Sequence, residues 1–183
     1  MISKEIYQLK VTLLDSKPPI WRRLWVVKTI TLVDLHYIIQ AAMGWTDSHL
    51  HQFIIGNTYY STPSEDDWMP VVDESQVTLG ELVTEEGSKF VYEYDFGDDW
   101  VHTILVEKIM PRDANQPYPY CVKGKRACPP EDVGGIWGYA EFVEAIKDPH
   151  HEEHANYLQW WGGEFDPEEF DLDETNERLQ KLQ

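Results

Sequence analysis

Residues 89–109 read KFVYEYDFGDDWVHTILVEKI, and the fold follows from how this stretch pairs with itself. Phe90, Tyr92, Tyr94 and Phe96 recur at every second position, the period of a strand with one buried face. Gly97-Asp98-Asp99 supply turn chemistry, and Trp100 to Ile109 is a second run rich in aromatic and β-branched residues. The stretch predicts an antiparallel hairpin.

Towards the N-terminus the same period returns. In residues 4–14, Tyr7, Leu9, Val11 and Leu13 share one side of a predicted strand. Pro18-Pro19 breaks it, and residues 20–27 (IWRRLWVV) form a second strand, with Arg22 and Arg23 on opposite faces. Thr31 and Asp34 have capping-box spacing, and Leu32, Leu35, Ile38, Ile39 and Ala42 follow at helical intervals up to Gly44. His49 to Tyr60 reads as strand, turn and strand around Gly56-Asn57; residues 62–77 read as loop, and Thr78 to Val83 as a short helical turn.

Beyond the hairpin the pattern changes. Residues 111–137 hold five of the eleven prolines and read as a long loop. Residues 138–148 and 150–161 are helical in pattern, and Asp166-Pro167 suits the start of a closing acidic helix. Strands then dominate the first 110 residues and helices the last 45, which predicts one α+β domain over residues 1–183: an antiparallel sheet packed with a helix from the N-terminal half and the C-terminal helices.

The formal charge is −18, from 15 basic and 33 acidic residues, and such a chain repels phosphate backbones as a whole. The charge is uneven. Residues 1–30 and 108–126 are each net +4, whereas residues 65–107 are net −12. A protein or peptide partner is therefore expected ahead of duplex DNA. No apolar run approaches the roughly 20 residues of a membrane span, and Met1-Ile2-Ser3-Lys4-Glu5 leads into a strand rather than a leader, so a cytoplasmic address is expected.

Several segments carry a resemblance: Pro18 to Arg23 (PPIWRR), Gly44 to Phe53 (GWTDSHLHQF), Tyr94 to His102 (YDFGDDWVH), Cys121 to Gly135 (CVKGKRACPPEDVGG), Trp137-Gly138-Tyr139, and Phe165 to Asp171 (FDPEEFD). Together they resemble the plasmid pRiA4b ORF-3-like family, in order and over nearly the whole chain. The resemblance implies an α+β fold and an association with plasmids or mobile elements. Some relatives carry a resolvase-like label, but the nucleophilic serine among arginines and the basic domain of a serine recombinase are not evident in this sequence.

Two kinds of chemistry stand open. Metal ligation, by zinc or another divalent metal, could draw on His49, His51, His102, Cys121 and Cys128. The two histidines of HLH share a face if the segment is a strand, and His102 sits on the neighbouring hairpin. Six residues separate the cysteines, looser than a zinc pair, so two buried thiols pinning a loop is the other reading. A ligand or partner surface could draw on Arg22, Arg23, Asp95, Asp98, Trp100, Lys125, Arg126, Glu131, Asp132 and Trp137. Exposed tryptophans beside arginines would make a stacking platform, and Asp95, Asp98, Glu131 and Asp132 a carboxylate site for a cation. With no complete catalytic constellation, a non-enzymatic binding or accessory module is expected, with a metal-dependent hydrolase or nuclease as the alternative.

Overall fold

The computed structural model describes residues 4–183. Residues 1–3, which bear on the expectation about a leader, lie outside it. The chain runs β1 (Glu5–Leu13), β2 (Trp21–Val27), α1 (Leu32–Met43), β3 (His51–Ile55), β4 (Thr58–Ser61), β5 (Val72–Asp73), a 3-10 turn (Glu74–Gln76) and α2 (Leu79–Leu82). It continues through β6 (Lys89–Tyr94), β7 (Trp100–Pro111), β8 (Tyr120–Lys125), α3 (Gly135–Lys147), α4 (His154–Trp161) and α5 (Leu172–Gln180). The strands form one eight-stranded sheet in the order β5-β4-β3-β6-β7-β1-β2-β8, antiparallel throughout except for the β4–β5 pair.

The expected hairpin is the centre of this sheet. Tyr94 pairs with Trp100 and Lys89 with Leu105, and β7 pairs on its other edge with β1. Phe90, Tyr92 and Tyr94 are buried as the period requires, whereas Phe96 lies past the strand end and is exposed. One face of the sheet carries Tyr7, Leu9, Val11, Leu13, Leu24, Tyr92, Tyr94 and Ile104, all buried, and α1 packs over it. The opposite face is half-exposed and polar: Arg23 holds Glu107 through two bonds of 2.6 and 2.9 Å, and Gln8 links Glu107 to Trp25. An antiparallel sheet with one solvated face reads as alternation, so the period showed through.

Helix α1 begins at the expected capping box of Thr31 and Asp34 and ends at Gly44 with φ of 110°. Several expectations change. The expected 62–77 loop holds β5 and the 3-10 turn, and α3 starts at Gly135, inside the expected 111–137 loop. The 111–137 loop contains β8, which pairs with β2 and extends the sheet to about residue 125; the strand's own glycine and the prolines that flank it hide it. Helix α4 starts at His154, after a turn. Asp166 and Pro167 do not start α5: Asp166 closes a local turn by accepting from Glu168 N–H, and Asp171 caps the helix by accepting from Glu174 N–H. Edge strand β8 is covered by α5, where the Asn176 side chain bonds both backbone groups of Cys121, as a further strand would.

Candidate functional site

The loop after α1 runs from Trp45 to Leu50 and feeds two histidine–carboxylate clusters. The first lies under α1. Asp47 N–H donates to Gln40 Oε1 at 2.9 Å, which fixes the amide so that Gln40 Nε2 donates to the Tyr92 hydroxyl at 2.9 Å. The hydroxyl then gives its own hydrogen to His36 Nδ1 at 2.8 Å, and His36 Nε2–H donates to Asp47 Oδ1 at 2.8 Å. The four residues close a ring in which every hydrogen has one direction. Burial, and then the neighbouring His51, lower the His36 pKa to about 4, so the imidazole is neutral as the ring demands. His51 stacks flat on His36, with centroids 3.4 Å apart, and bonds the buried Glu74 at 2.8 Å.

The second cluster is assembled from three separate segments. His49 comes from the loop after α1, Asp95 from the tip of the β6–β7 hairpin, and Glu131 and Asp132 from the segment before α3. Around His49 Nε2 stand Asp132 Oδ1 at 2.8 Å, Asp95 Oδ2 at 3.5 Å and Glu131 Oε2 at 3.7 Å. Yet Nε2 is shut off from solvent and makes no hydrogen bond; its 2.8 Å approach to Asp132 is an ion-pair contact.

The segments are held in place independently of His49. The Tyr94 hydroxyl accepts from Ser48 N–H and donates to Glu131, and burial raises its pKa well above the ordinary value. Thr46 N–H donates to Glu131 at 2.9 Å and Trp45 Nε1 donates to the Pro129 carbonyl at 3.1 Å. Asp98 Oδ2 accepts from Gly134 N–H, and Gly135 lies so close to the hairpin that a Cβ would meet the Asp98 carbonyl oxygen at 2.4 Å. Asp47, Asp95 and Asp132 all have φ between 54° and 60°, a region that side chains other than glycine seldom adopt and that gathers at functional sites.

Both clusters have the reach to hold a metal ion. The hydrogen-bonded ring tells them apart. A cation on His36 Nε2 would displace the hydrogen that closes the ring, whereas His49 Nε2 has no bond to lose. Imidazole with three carboxylates suits a first-row divalent cation such as manganese, iron or zinc.

The five expected metal ligands do not converge. His51 belongs to the first cluster and His49 to the second, since His49 precedes β3 and the shared-face argument does not reach it. His102 is fully buried edge-on to Trp45, its Nδ1 donates to the Tyr92 carbonyl at 3.2 Å, and burial lowers its pKa to about 4. Cys121 and Cys128 belong to neither cluster. Burial raises both thiols, Cys121 to about 11, so they are protonated. His36, Asp47 and Glu74 went unnoticed in the sequence because only folding brings α1 and the 3-10 turn to β3.

The expected partner surface also divides. Asp95, Glu131 and Asp132 meet at His49, with Asp98 bracing them. Arg22, Arg126 and Trp100 are buried and Arg23 is paired with Glu107, which leaves Lys125 and Trp137 exposed, Trp137 at 86%. No exposed aromatic and basic platform forms from these residues.

Comparison with known proteins decides the family. The family model described as plasmid pRiA4b ORF-3-like protein matches residues 5–174. The chain belongs to the plasmid pRiA4b ORF-3-like family. Within reach of this family the chain is 41% identical to the uncharacterized protein y4hQ of Sinorhizobium fredii, over 97% of this chain and 92% of that one. It also resembles the crystal structure of a protein of unknown function, MM3350 from Methanosarcina mazei Go1, with a TM-score of 0.87 and 40% identity over 94% of this chain and 97% of the other. The segments that suggested the pRiA4b ORF-3-like family include those that carry His49, Asp95, Glu131 and Asp132. Among the described residues no helix is long and apolar enough to cross a membrane.

Proposed function

We propose that the protein binds a divalent cation through His49, Asp95, Glu131 and Asp132 and acts as a metal-dependent hydrolase. The observation that carries this reading is the His49 imidazole, ringed by three carboxylates yet without a hydrogen bond. Carboxylates so close repel one another, and a cation relieves that repulsion. Asp132 is 68% exposed, which leaves room on the solvent side for water and a substrate. A cation there supplies an acidified water and a charge that polarises a carbonyl or phosphoryl oxygen. The chain's own part is positional: Tyr94, Thr46 and Asp98 hold the carboxylates in place before any ligand arrives. The overall charge of −18 disfavours nucleic acid as substrate.

Calorimetric titration of the tag-free protein with manganese or zinc chloride tests the reading. One equivalent taken up by the wild type and lost in His49→Ala is expected, followed by turnover in screens of carboxylic and phosphoric esters. A wild type that takes up neither metal would end this proposal. The other reading is a non-enzymatic binding module, and the exposed Trp137 supports it. This side chain borders a cleft of about 500 Å³ with Arg126, Tyr139 and Val143. Metal uptake without turnover, together with a partner lost in Trp137→Ala, would favour it.

A further inference from the structure

Arg22 is a buried cation whose charge is only partly met. It is 2% exposed, although arginine is seldom buried without a partner. Its Nε donates to the Ala42 carbonyl at 2.9 Å, and its Nη1 to the carbonyls of Trp21 and Lys125 at 2.9 and 3.2 Å. The ring of Phe170 lies against the guanidinium, 4.5 Å from its carbon. Among the described residues no carboxylate pairs with Arg22, and Nη2 makes none of these bonds. A guanidinium buried in this way demands an anion or leaves its charge uncompensated.

The side chain lines a cleft of about 290 Å³ between α1, α5 and the segment after α4. Arg178 lines the same cleft. Its Nε is tied to the Ala41 carbonyl, the residue before the one that anchors Arg22. Burial lowers the Arg22 pKa, and the nearby charge of Arg178 lowers it further.

The carboxylates along the cleft do not neutralise Arg22. Glu174 holds Arg178 Nη1, and Asp171 and Asp166 accept backbone N–H groups. Glu164 and Glu169 are exposed on the lining. The lining carries five carboxylates against two arginines, so a polyanion is repelled and only a single small anion held directly against the guanidinium is accommodated.

The cleft also has a neighbour. Gly44, Cys128 and Trp161 form part of its wall and part of the wall of a second cleft of about 440 Å³, which reaches Thr46 and Glu131. Glu131 is a member of the candidate cation cluster. The two clefts are thus adjacent, with the unpaired guanidinium on one and a member of that cluster on the other.

We infer that Arg22 and Arg178 form an oxyanion-binding subsite, which seats the carboxylate or phosphate of a small substrate whose other end reaches Glu131 and the cation. The subsite stands on the two arginines; the role of its occupant as a substrate rests on the cation-site reading.

The test is calorimetric titration of the full chain at low ionic strength, once with inorganic phosphate and once with acetate. Saturable uptake of one equivalent is expected, with Arg178→Gln weakening it about 10-fold. Uptake of phosphate alone identifies a phosphate ester, and uptake of acetate alone a carboxylate. Arg22→Met should abolish uptake, but this change also removes three hydrogen bonds to backbone carbonyls, so Arg178→Gln, on a side chain 32% exposed, carries the decision. No saturable uptake of either anion by the wild type up to about 50 mM, or unchanged uptake in Arg178→Gln, would overturn the subsite. His49→Ala separates the two ideas: it loses the cation and keeps the anion if the subsite is real, whatever becomes of the hydrolase reading.

Discussion

The two histidine–carboxylate clusters use the same residue types, and their loop members, Asp47 and His49, lie two positions apart, but they are opposite in kind. In the first, Asp47, Gln40, Tyr92 and His36 satisfy one another in a closed ring, and nothing remains to bind. In the second, His49 faces three carboxylates and satisfies none. A buried polar group with all its bonds made stabilises a fold, whereas an unpaired one among converging carboxylates suits a ligand; the equally unpaired His102 Nε2 belongs to no such cluster among the described residues. The difference assigns structure to the ring and ligation to the open cluster, although both have the reach for a metal.

The largest effect should come from breaking the ring. His36→Ala takes one bond from each of the Tyr92 hydroxyl and Asp47, leaving of the ring only their bonds to Gln40, and opens a cavity beneath α1, at a cost of about 3 kcal/mol in urea unfolding. His49→Ala in metal-free protein should cost less than about 1 kcal/mol, because that side chain has no hydrogen bond to lose. Equal costs would break the comparison.

Acid should act on the same interior. His36 and His102 both titrate near 4 in the folded chain, below the ordinary 6.5. The unfolded chain therefore binds protons first as pH falls. Stability from these two groups is complete above about pH 7, falls as pH drops through 6.5, and is lost by about 4. The loss is about 3 kcal/mol for each fully shifted group. Unfolding measured at pH 7 and pH 4.5 reads it, and His102→Leu should flatten the slope. A wild-type slope of zero would mean that these imidazoles are not held neutral.

How far the sequence revealed these features depends on the range of the contacts. The hairpin, the two N-terminal strands and α1 rest on periods and caps within a dozen residues, and the chain states them openly. Strand β8 was hidden because its pairing partner β2 lies about 100 residues away and its composition is that of a loop. The open cluster was half visible. Asp95, Glu131 and Asp132 read in the sequence as a carboxylate site for a cation, and His49 as one of a histidine pair. Nothing local shows that the hairpin tip and the segment before α3 meet at Asp98 and Gly135. Arg22 near tryptophan belongs to a stacking platform only if those rings face solvent. Only the tertiary fold shows that its strand face is covered by α1, leaving the charge buried.

Within the open cluster, Asp95→Asn should weaken manganese or zinc uptake at least about 10-fold, whereas Asp47→Asn should leave it unchanged. Asparagine tolerates the positive φ at both sites, so backbone strain does not confound the pair. Calorimetry on the two variants decides which cluster takes the cation. Equal losses would merge the clusters into one site.

The smallest effect has the most informative sign. Asp132 is largely exposed and its oxygen lies 2.8 Å from an imidazole nitrogen to which it is not bonded, with Asp95 and Glu131 facing the same nitrogen. Asp132→Asn removes one of three crowded charges and keeps the backbone conformation. The metal-free variant should therefore melt about 1 °C higher than the wild type at low salt, a gain that vanishes at high salt. Saturating cation should reverse the order, because the wild type then gains more from the charge it carries. A structural ion pair between Asp132 and His49 predicts the opposite in the metal-free state, a variant that melts lower, so the direction of a one-degree shift distinguishes a pair from a ligand set.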